Sequence, residues 1–297
     1  MVKVESQSGL IAFYDILGYQ QMLLNNEVEK TAHLIVDVIA NIPAEVIENL
    51  LGDQGLPVKE GLKMAQYMKQ FWQKVFKEEI KWLLFSDSIL ISLPLDSSDD
   101  KFFYAVKIIA FLHTCAFLQR EMFDRGLPLR GAISSGDFFI QDTYFAGSPI
   151  IESYQASESL ELSGCVLTER TAKIYRELKD YAVKFNFESI ITLFDQLCIL
   201  YLVPKKGGKL EKQLMINWVN LPMNFFKGLP PDIREYVFSS FVEYNKDAAP
   251  IVYPKINNTE TFIRKILKNV ESKPWNMWSN QRDDYLSTLL KEKNMEF

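Results

Sequence analysis

The apolar positions of this chain change period from segment to segment, and those changes predict its elements. Residues 10–15, Leu-Ile-Ala-Phe-Tyr-Asp, form a short apolar run closed by an acid and then by Gly18. A run of that length ending in turn residues predicts a buried strand. From 19 to about 51, Leu23, Leu24, Ala32, Ile35, Val36, Val38 and Ile39 recur at helical spacing. Residues 53–57 then read as a loop and 61–77 as a second helical stretch. Two apolar runs, 80–85 and 89–93, are separated only by Ser86-Asp87-Ser88, which predicts a hairpin with an acidic tip. A long helical pattern over 101–123 ends before Gly126, and 129–134 reads as a strand closed by Gly136. Gly147 precedes a helical stretch at 149–162, and 165–167 is a short strand leading to Thr168, a suitable N-cap.

Strand, helix, strand, strand, helix, strand is the order of the ferredoxin-like split βαβ unit, so the expected fold class is α+β with a βαββαβ core. In that unit the first helix returns the chain to the bottom of the sheet, and the third strand lies beside the first. The end of the first strand and the hairpin tip then share one edge. Asp15 and Asp87, distant in the chain, are expected to meet there.

Beyond about residue 178 the pattern changes. Short alternating runs at 181–191, 197–202 and 212–217 flank the turn Lys205-Lys206-Gly207-Gly208 and predict added strands. After Gly228-Leu229-Pro230-Pro231, helical patterns cover about 232–245, 259–270 and 276–292, with Asn258-Thr259 opening the second. The expected organisation is a first domain over 1–178 and an extension over 179–297 packed on it. Trp275, Trp278 and the helices after Pro230 are expected to cover the sheet by default, with extending a dimer or docking an effector as the alternatives.

Composition narrows the function classes. Of 297 residues, 48% are hydrophobic and 24% charged, an ordinary globular balance. The net charge of -5 and the lack of a dense Lys/Arg block argue against a nucleic-acid polymer as partner. A single nucleotide needs only a few local cations. Cys115, Cys165 and Cys198 are scattered and, with His33 and His113, fit no zinc spacing, so reduced, buried thiols are expected. The start Met1-Val2-Lys3-Val4 has no signal-peptide core, and Asp, Lys or Glu break the apolar stretches. These features predict a cytoplasmic protein with no membrane partner.

Two carboxylates at one sheet edge suit hard divalent cations, which take oxygen ligands and share them with substrate phosphates. Read separately, Asp15 and Asp87 are ordinary solvated strand ends; their shared edge is what makes a site. The turn Asp15-Ile16-Leu17-Gly18 leads into a helix, whose first N–H groups favour a phosphate, and Gly18 permits close approach.

Phe13-Tyr14-Asp15-Ile16-Leu17-Gly18-Tyr19 resembles the first metal-site signature of class III adenylate and guanylate cyclases. Phe85-Ser86-Asp87-Ser88 stands where that family has its Gly-Asp hairpin. Leu129-Arg130-Gly131-Ala132-Ile133-Ser134-Ser135-Gly136 resembles its Arg-x-Gly strand, and Gly147 opens the helix that follows. The resemblance implies two divalent metal ions, Mn²⁺ or Mg²⁺, held by Asp15, Ile16 and Asp87. It also implies Arg130 and the Ile16, Leu17 and Gly18 amides on the polyphosphate of a nucleoside triphosphate. A homodimer is implied as well, with the loop 137–146 (Phe138, Phe139, Tyr144, Phe145) and the helix after Gly147 near its interface.

The departures matter too. The Asn and Arg of the purine cyclases fall at Ile151 and Gln155, and their base-reading Lys and Asp near Leu83 and Tyr144. Loss of that pattern beside retained acids is similar to the bacterial pyrimidine cyclases of the Pycsar anti-phage systems. Ile150-Ile151-Glu152-Ser153-Tyr154-Gln155-Ala156-Ser157-Glu158 and Ile216-Asn217-Trp218 share that likeness. It implies conversion of UTP or CTP to a 3′,5′-cyclic monophosphate that acts on a separate effector protein. Two alternatives stand beside it. One is a cyclase-like module that binds a nucleotide or protein without turnover. The other is a different palm-fold enzyme, disfavoured because the hairpin tip lacks an adjacent second acid.

Overall fold

Alternation along the first strand sorts the molecule into two faces. In the computed structural model, which describes residues 6–51, 70–141, 144–221, 229–247 and 249–271, this strand is β1 (Gln7–Ile16). Leu10, Ala12, Tyr14 and Ile16 point into the main apolar core, whereas Ile11 packs on the other face with Leu90, Phe138 and Ile150. Successive side chains of a strand take opposite faces, so Phe13 and Asp15 join Ile11 on that second face.

The expected α+β, ferredoxin-like βαββαβ core is present. β2 (Lys81–Phe85) and β3 (Ser88–Pro94) form a hairpin, and β3 and β4 (Leu129–Gln141) flank β1, both antiparallel to it. The order β2-β3-β1-β4 is continued by β6 (Gly164–Leu167), parallel to β4, and then by β8 (Lys209–Ile216) and β7 (Cys198–Lys205). A short β5 (Tyr144–Ala146) folds back on the end of β4.

The first crossover is broken, against the expectation of one helix over 19–51. It consists of α1 (Tyr19–Asn25), α2 (Val28–Leu34), a π-helical turn at Ile35–Ile39 and α3 (Ile42–Leu51). Only the last segment buries a regular stripe, Ile42, Val46 and Leu50, at helical spacing. Of the helix expected over 61–77, residues 70–74 are helical and continue into a π-helical turn at Val75–Glu79. Residue 69 and those before it back to 52 lie outside the described residues, and the 53–57 loop with them.

α4 (Lys101–Asp124) begins at Asp100, whose side chain accepts a hydrogen bond from the Phe102 N–H at 2.8 Å. It is apolar on nearly every side because it is enclosed on nearly every side, between the sheet and the helices α3 and α7 (Glu188–Leu197). Against the expectation that Asp, Lys or Glu break every apolar stretch, this helix is long and apolar enough to cross a membrane by length and composition alone; 78% of the relevant window is buried inside the fold. Burying one Phe or Leu of this helix stabilises by roughly 1.5–3 kcal/mol.

Three further expectations are corrected. β4 does not stop at Gly136: that residue pairs with Gly9 of β1, pairing continues through Gln7 with Phe138, and the strand runs on to Gln141. Residues 181–191 are not a strand. They close α6 (Glu169–Lys184) and open α7; Val183 and Phe185, whose alternation with Tyr181 and Phe187 suggested a sheet, are exposed. The last helix among the described residues, α9 (Tyr253–Glu271), starts ahead of Asn258-Thr259 and follows α8 (Ile233–Val242). Thr259 instead turns inward and receives the Ser163 N–H at 2.9 Å.

The added strands β7 and β8 are present and extend the same sheet. Residue 178 falls within α6, and the main apolar core runs from Leu10 to Ile266 across it. Trp218, fully buried, packs on Phe123 and Phe262 and so ties the extension to α4 and α9. The three cysteines are free and buried, as expected. The 276–292 helix, Trp275 and Trp278 lie outside the described residues.

Candidate active site

Asp15, one residue before the end of β1, lies on the second face, which is covered at that point by α5 (Ser148–Glu158). Its register partners are Ser88 on β3 and Arg130 on β4. The β2–β3 turn is Ser86-Asp87, with Ser86 in the left-handed region at φ 54 that a two-residue hairpin demands. The two acids therefore stand at one end of the sheet, as the connectivity predicted, close enough that the Asp87 charge adds to the cost of ionising Asp15.

The turns carrying them are locked to one another. Ile16 N–H donates to the Asp87 carbonyl at 2.9 Å, and Leu17 N–H donates to the Pro128 carbonyl at 2.9 Å. Both amides, expected to receive phosphate, here hold the turn. Gly18 caps α1 at φ 81, a conformation that disfavours a side chain. What approaches Gly18 closely is the buried stem of Lys246 from the extension, whose Cδ would lie 2.8 Å from an added Cβ.

Arg130 sits against Asp15, its Nε donating to Oδ2 at 2.9 Å and a terminal nitrogen lying 2.8 Å from the same oxygen. The same guanidinium pairs with Glu158 at the end of α5, and Glu158 in turn is reached by Lys206 at 3.3 Å. Burial raises the Asp15 carboxyl pKa; Arg130 opposes this, while Asp87 and Glu158 add to it. A hard divalent cation would relieve that penalty directly. Asp15, Asp87 and the Ile16 carbonyl are hard oxygen donors, so the donor set fits Mg²⁺ or Mn²⁺. Among the described residues no group of three or more His, Cys, Asp or Glu could hold a metal. Two acids leave coordination positions for substrate oxygens.

Beside the acids lies an aromatic wall. Phe13 meets Tyr154 edge-on at 5.3 Å, and Phe85 stacks on Phe145 at 5.4 Å. Ile151 and Tyr154 of α5 and Tyr144 and Phe145 of β5 are exposed around it, whereas Phe138 is buried. Gln155 is exposed on α5, and Leu83 packs toward Ile11, Leu90 and Phe138 on this face.

Sequence reasoning missed Glu158, Lys206 and Glu152, which accepts a hydrogen bond from Ser134 at 2.7 Å. All three meet their partners through the docking of α5 and the β7–β8 turn, and no local pattern announces that.

No protein-family model and no curated protein matches this chain. Among solved structures, the adenylyl cyclase CyaB from P. aeruginosa is similar at 12% identity and a TM-score of 0.37, over 77% of this chain and 100% of that one. The guanylyl cyclase Cya2 is similar at 10% identity and a TM-score of 0.31, over 76% of this chain and 99% of that one. Likenesses this distant leave the activity of this chain to its own site.

Proposed function

We propose that this chain is a metal-dependent nucleotide cyclase that converts a pyrimidine nucleoside triphosphate, UTP or CTP, to its 3′,5′-cyclic monophosphate and pyrophosphate. The observation that carries the reading is the meeting of Asp15 and Asp87 on the locked β1 and β2–β3 turns, with Arg130 directly across the ladder. In the reaction the ribose 3′-hydroxyl attacks the α-phosphorus in line and pyrophosphate leaves. Asp15, Asp87 and the Ile16 carbonyl would hold two divalent ions, Mn²⁺ or Mg²⁺. Such ions lower the pKa of the attacking hydroxyl and offset the charge of the triphosphate. Arg130 supplies a cation for the polyphosphate, and the Ile16 N–H bond to Asp87 holds both acids in register.

The pyrimidine assignment rests on what stands at the purine-reading positions. Leu83, Tyr144, Ile151 and Gln155 offer no charged group to a base. The anti-phage role, with a product that acts on a separate effector, rests on the likeness of the Asp15–Tyr19 and Ile150–Glu158 segments to the pyrimidine cyclases. A homodimer is favoured by the exposed apolar rim of Tyr144, Phe145, Ile151 and Tyr154 beside the acids.

The test is incubation of the purified chain with each of the four ribonucleoside triphosphates and Mn²⁺, with mass analysis of the products. A cyclic pyrimidine monophosphate that is lost in Asp15→Ala supports the reading and names the base. A cyclic purine product would retain the mechanism and overturn the pyrimidine and defence assignments. No product from any of the four would favour a binding module without turnover.

A further inference from the structure

Asp15 Oδ2 receives both Nε and a terminal nitrogen of Arg130, so a divalent ion on Asp15 would have to share its carboxylate with the guanidinium. Loading of Asp15 favours movement of Arg130 off it, because the guanidinium and a dication on one carboxylate repel. The guanidinium already has a second carboxylate to move toward. Glu158 pairs with it from the end of α5, and the Arg130 and Glu158 side chains are 12% and 35% exposed.

The end of α5 is itself fastened from the extension. Lys206 N–H donates to the Ser159 carbonyl at 2.8 Å, and Glu161 N–H to the Pro204 carbonyl at 3.0 Å. Leu160 bridges to Lys205, whose Nζ donates to Ser159 Oγ at 3.1 Å. Lys206 Nζ lies 3.3 Å from the second oxygen of Glu158. Glu158 is thus a carboxylate whose position is set by α5 and the β7–β8 turn rather than by Arg130.

We infer that Glu158 is a positioning residue for Arg130: it retains the guanidinium at the site and draws it off Asp15 when a divalent cation binds there. The inference rests on the reading of Asp15 as a metal ligand and deepens it. Arg130 is then a placeholder cation in the ligand-free protein and a substrate-facing cation in the loaded one. Glu158 decides how readily the exchange occurs. The β7–β8 turn reaches the metal acids through the chain Lys206, Glu158, Arg130, Asp15.

The experiment is Mn²⁺ binding to the full chain without nucleotide, read as loss of the free-ion paramagnetic signal, for wild type, Glu158→Gln, Arg130→Gln and the double variant. Glu158→Gln should weaken Mn²⁺ binding about tenfold, the low end for one hydrogen bond to a charged group, because Arg130 is left on Asp15 alone. Arg130→Gln should tighten it, and in that background Glu158→Gln should have no further effect. Glu158→Asp keeps the charge but shortens the reach, and should behave like Glu158→Gln. The inference is overturned if Glu158→Gln weakens binding equally with and without Arg130, since Glu158 would then act only as a nearby negative charge. An unchanged affinity in Glu158→Gln, or no binding to the wild-type chain, overturns it as well. Coupled Mn²⁺ binding with no cyclic product from any nucleotide would leave this inference standing and remove the cyclase reading.

Discussion

Asp15 and Arg130 face one another directly across the β1–β4 ladder, with the guanidinium 2.9 and 2.8 Å from one carboxylate oxygen. The contact depends on register. A slip of one residue would turn Asp15 into the core where Tyr14 and Ile16 now lie, so the burial of β1 is also what aims the acid. Arg130 does not fully offset the cost of that burial, and the Asp15 pKa remains raised.

Asp15→Asn and Asp87→Asn should each abolish cyclic product in the presence of Mn²⁺. Asp15→Asn removes a partly desolvated charge and one partner of Arg130 together, effects of opposite sign, so its urea midpoint should shift by no more than about 1 kcal/mol of stability. Turnover near the wild-type rate in either folded variant would sink the metal assignment.

The exposed rim supplies a second prediction. Ile151 is 59% and Tyr144 74% exposed, so charged residues there disturb no core. Tyr144→Glu/Ile151→Glu should convert a dimer to a monomer in sedimentation velocity and reduce turnover in step. A wild-type chain that sediments as a monomer while turning over fully would refute the homodimer.

Lys246 predicts how stability depends on pH. Its Nζ is buried and donates to the carbonyls of Gly126 at 2.5 Å and Ser240 at 3.1 Å, bonds that a neutral amine can also make. Burial pulls its pKa down to about 7, only partly opposed by Glu243. The folded chain therefore sheds a proton near pH 7 that the unfolded chain keeps until about 10.4, the ordinary lysine value. Between those limits the unfolded state binds more protons, so this group makes stability rise with pH, by at most about 1.4 kcal/mol per unit. Below pH 7 both states hold the proton and the contribution is flat. Urea titrations at pH 7 and 9 should show the rise in wild type and its loss in Lys246→Met; an equal slope in both would reject the assignment.

Two glycines should respond differently to alanine. A Cβ at Gly131 would fall 2.3 Å from the ring of the fully buried Tyr14 and 2.9 Å from the Phe13 carbonyl, neither of which can retreat. At Gly164 the obstacle is the terminal methyl of Met215 at 1.9 Å, the far end of a flexible chain. Gly131→Ala should cost about 1–3 kcal/mol or more and Gly164→Ala clearly less, as read from urea midpoints. The reverse order would show that the β1–β4 contact is softer than its geometry implies.

Much of this protein was determined by local pattern. The apolar run 10–15, the polar tip at 86–88 and the long apolar stretch at 101–123 each specified an element, because burial of one face or of every face leaves a period in the sequence. Element order and the rules of connection then brought Asp15 and Asp87 to one edge, before any side chain was placed. Tertiary structure alone decided the rest. The apolar spacing of 19–51 suits one helix as well as the broken crossover that packing selected. Tyr181, Val183, Phe185 and Phe187 alternate like a strand, yet α6 runs through Lys184 and leaves two of them in solvent. The ties from Arg130 to Glu158, 28 residues on, and from Glu158 to Lys206, 48 further, follow from how α5 and the β7–β8 turn dock on the sheet. Periodicity records which face an element buries; it carries no record of the angle and register at which two elements meet, and those set every contact around Asp15.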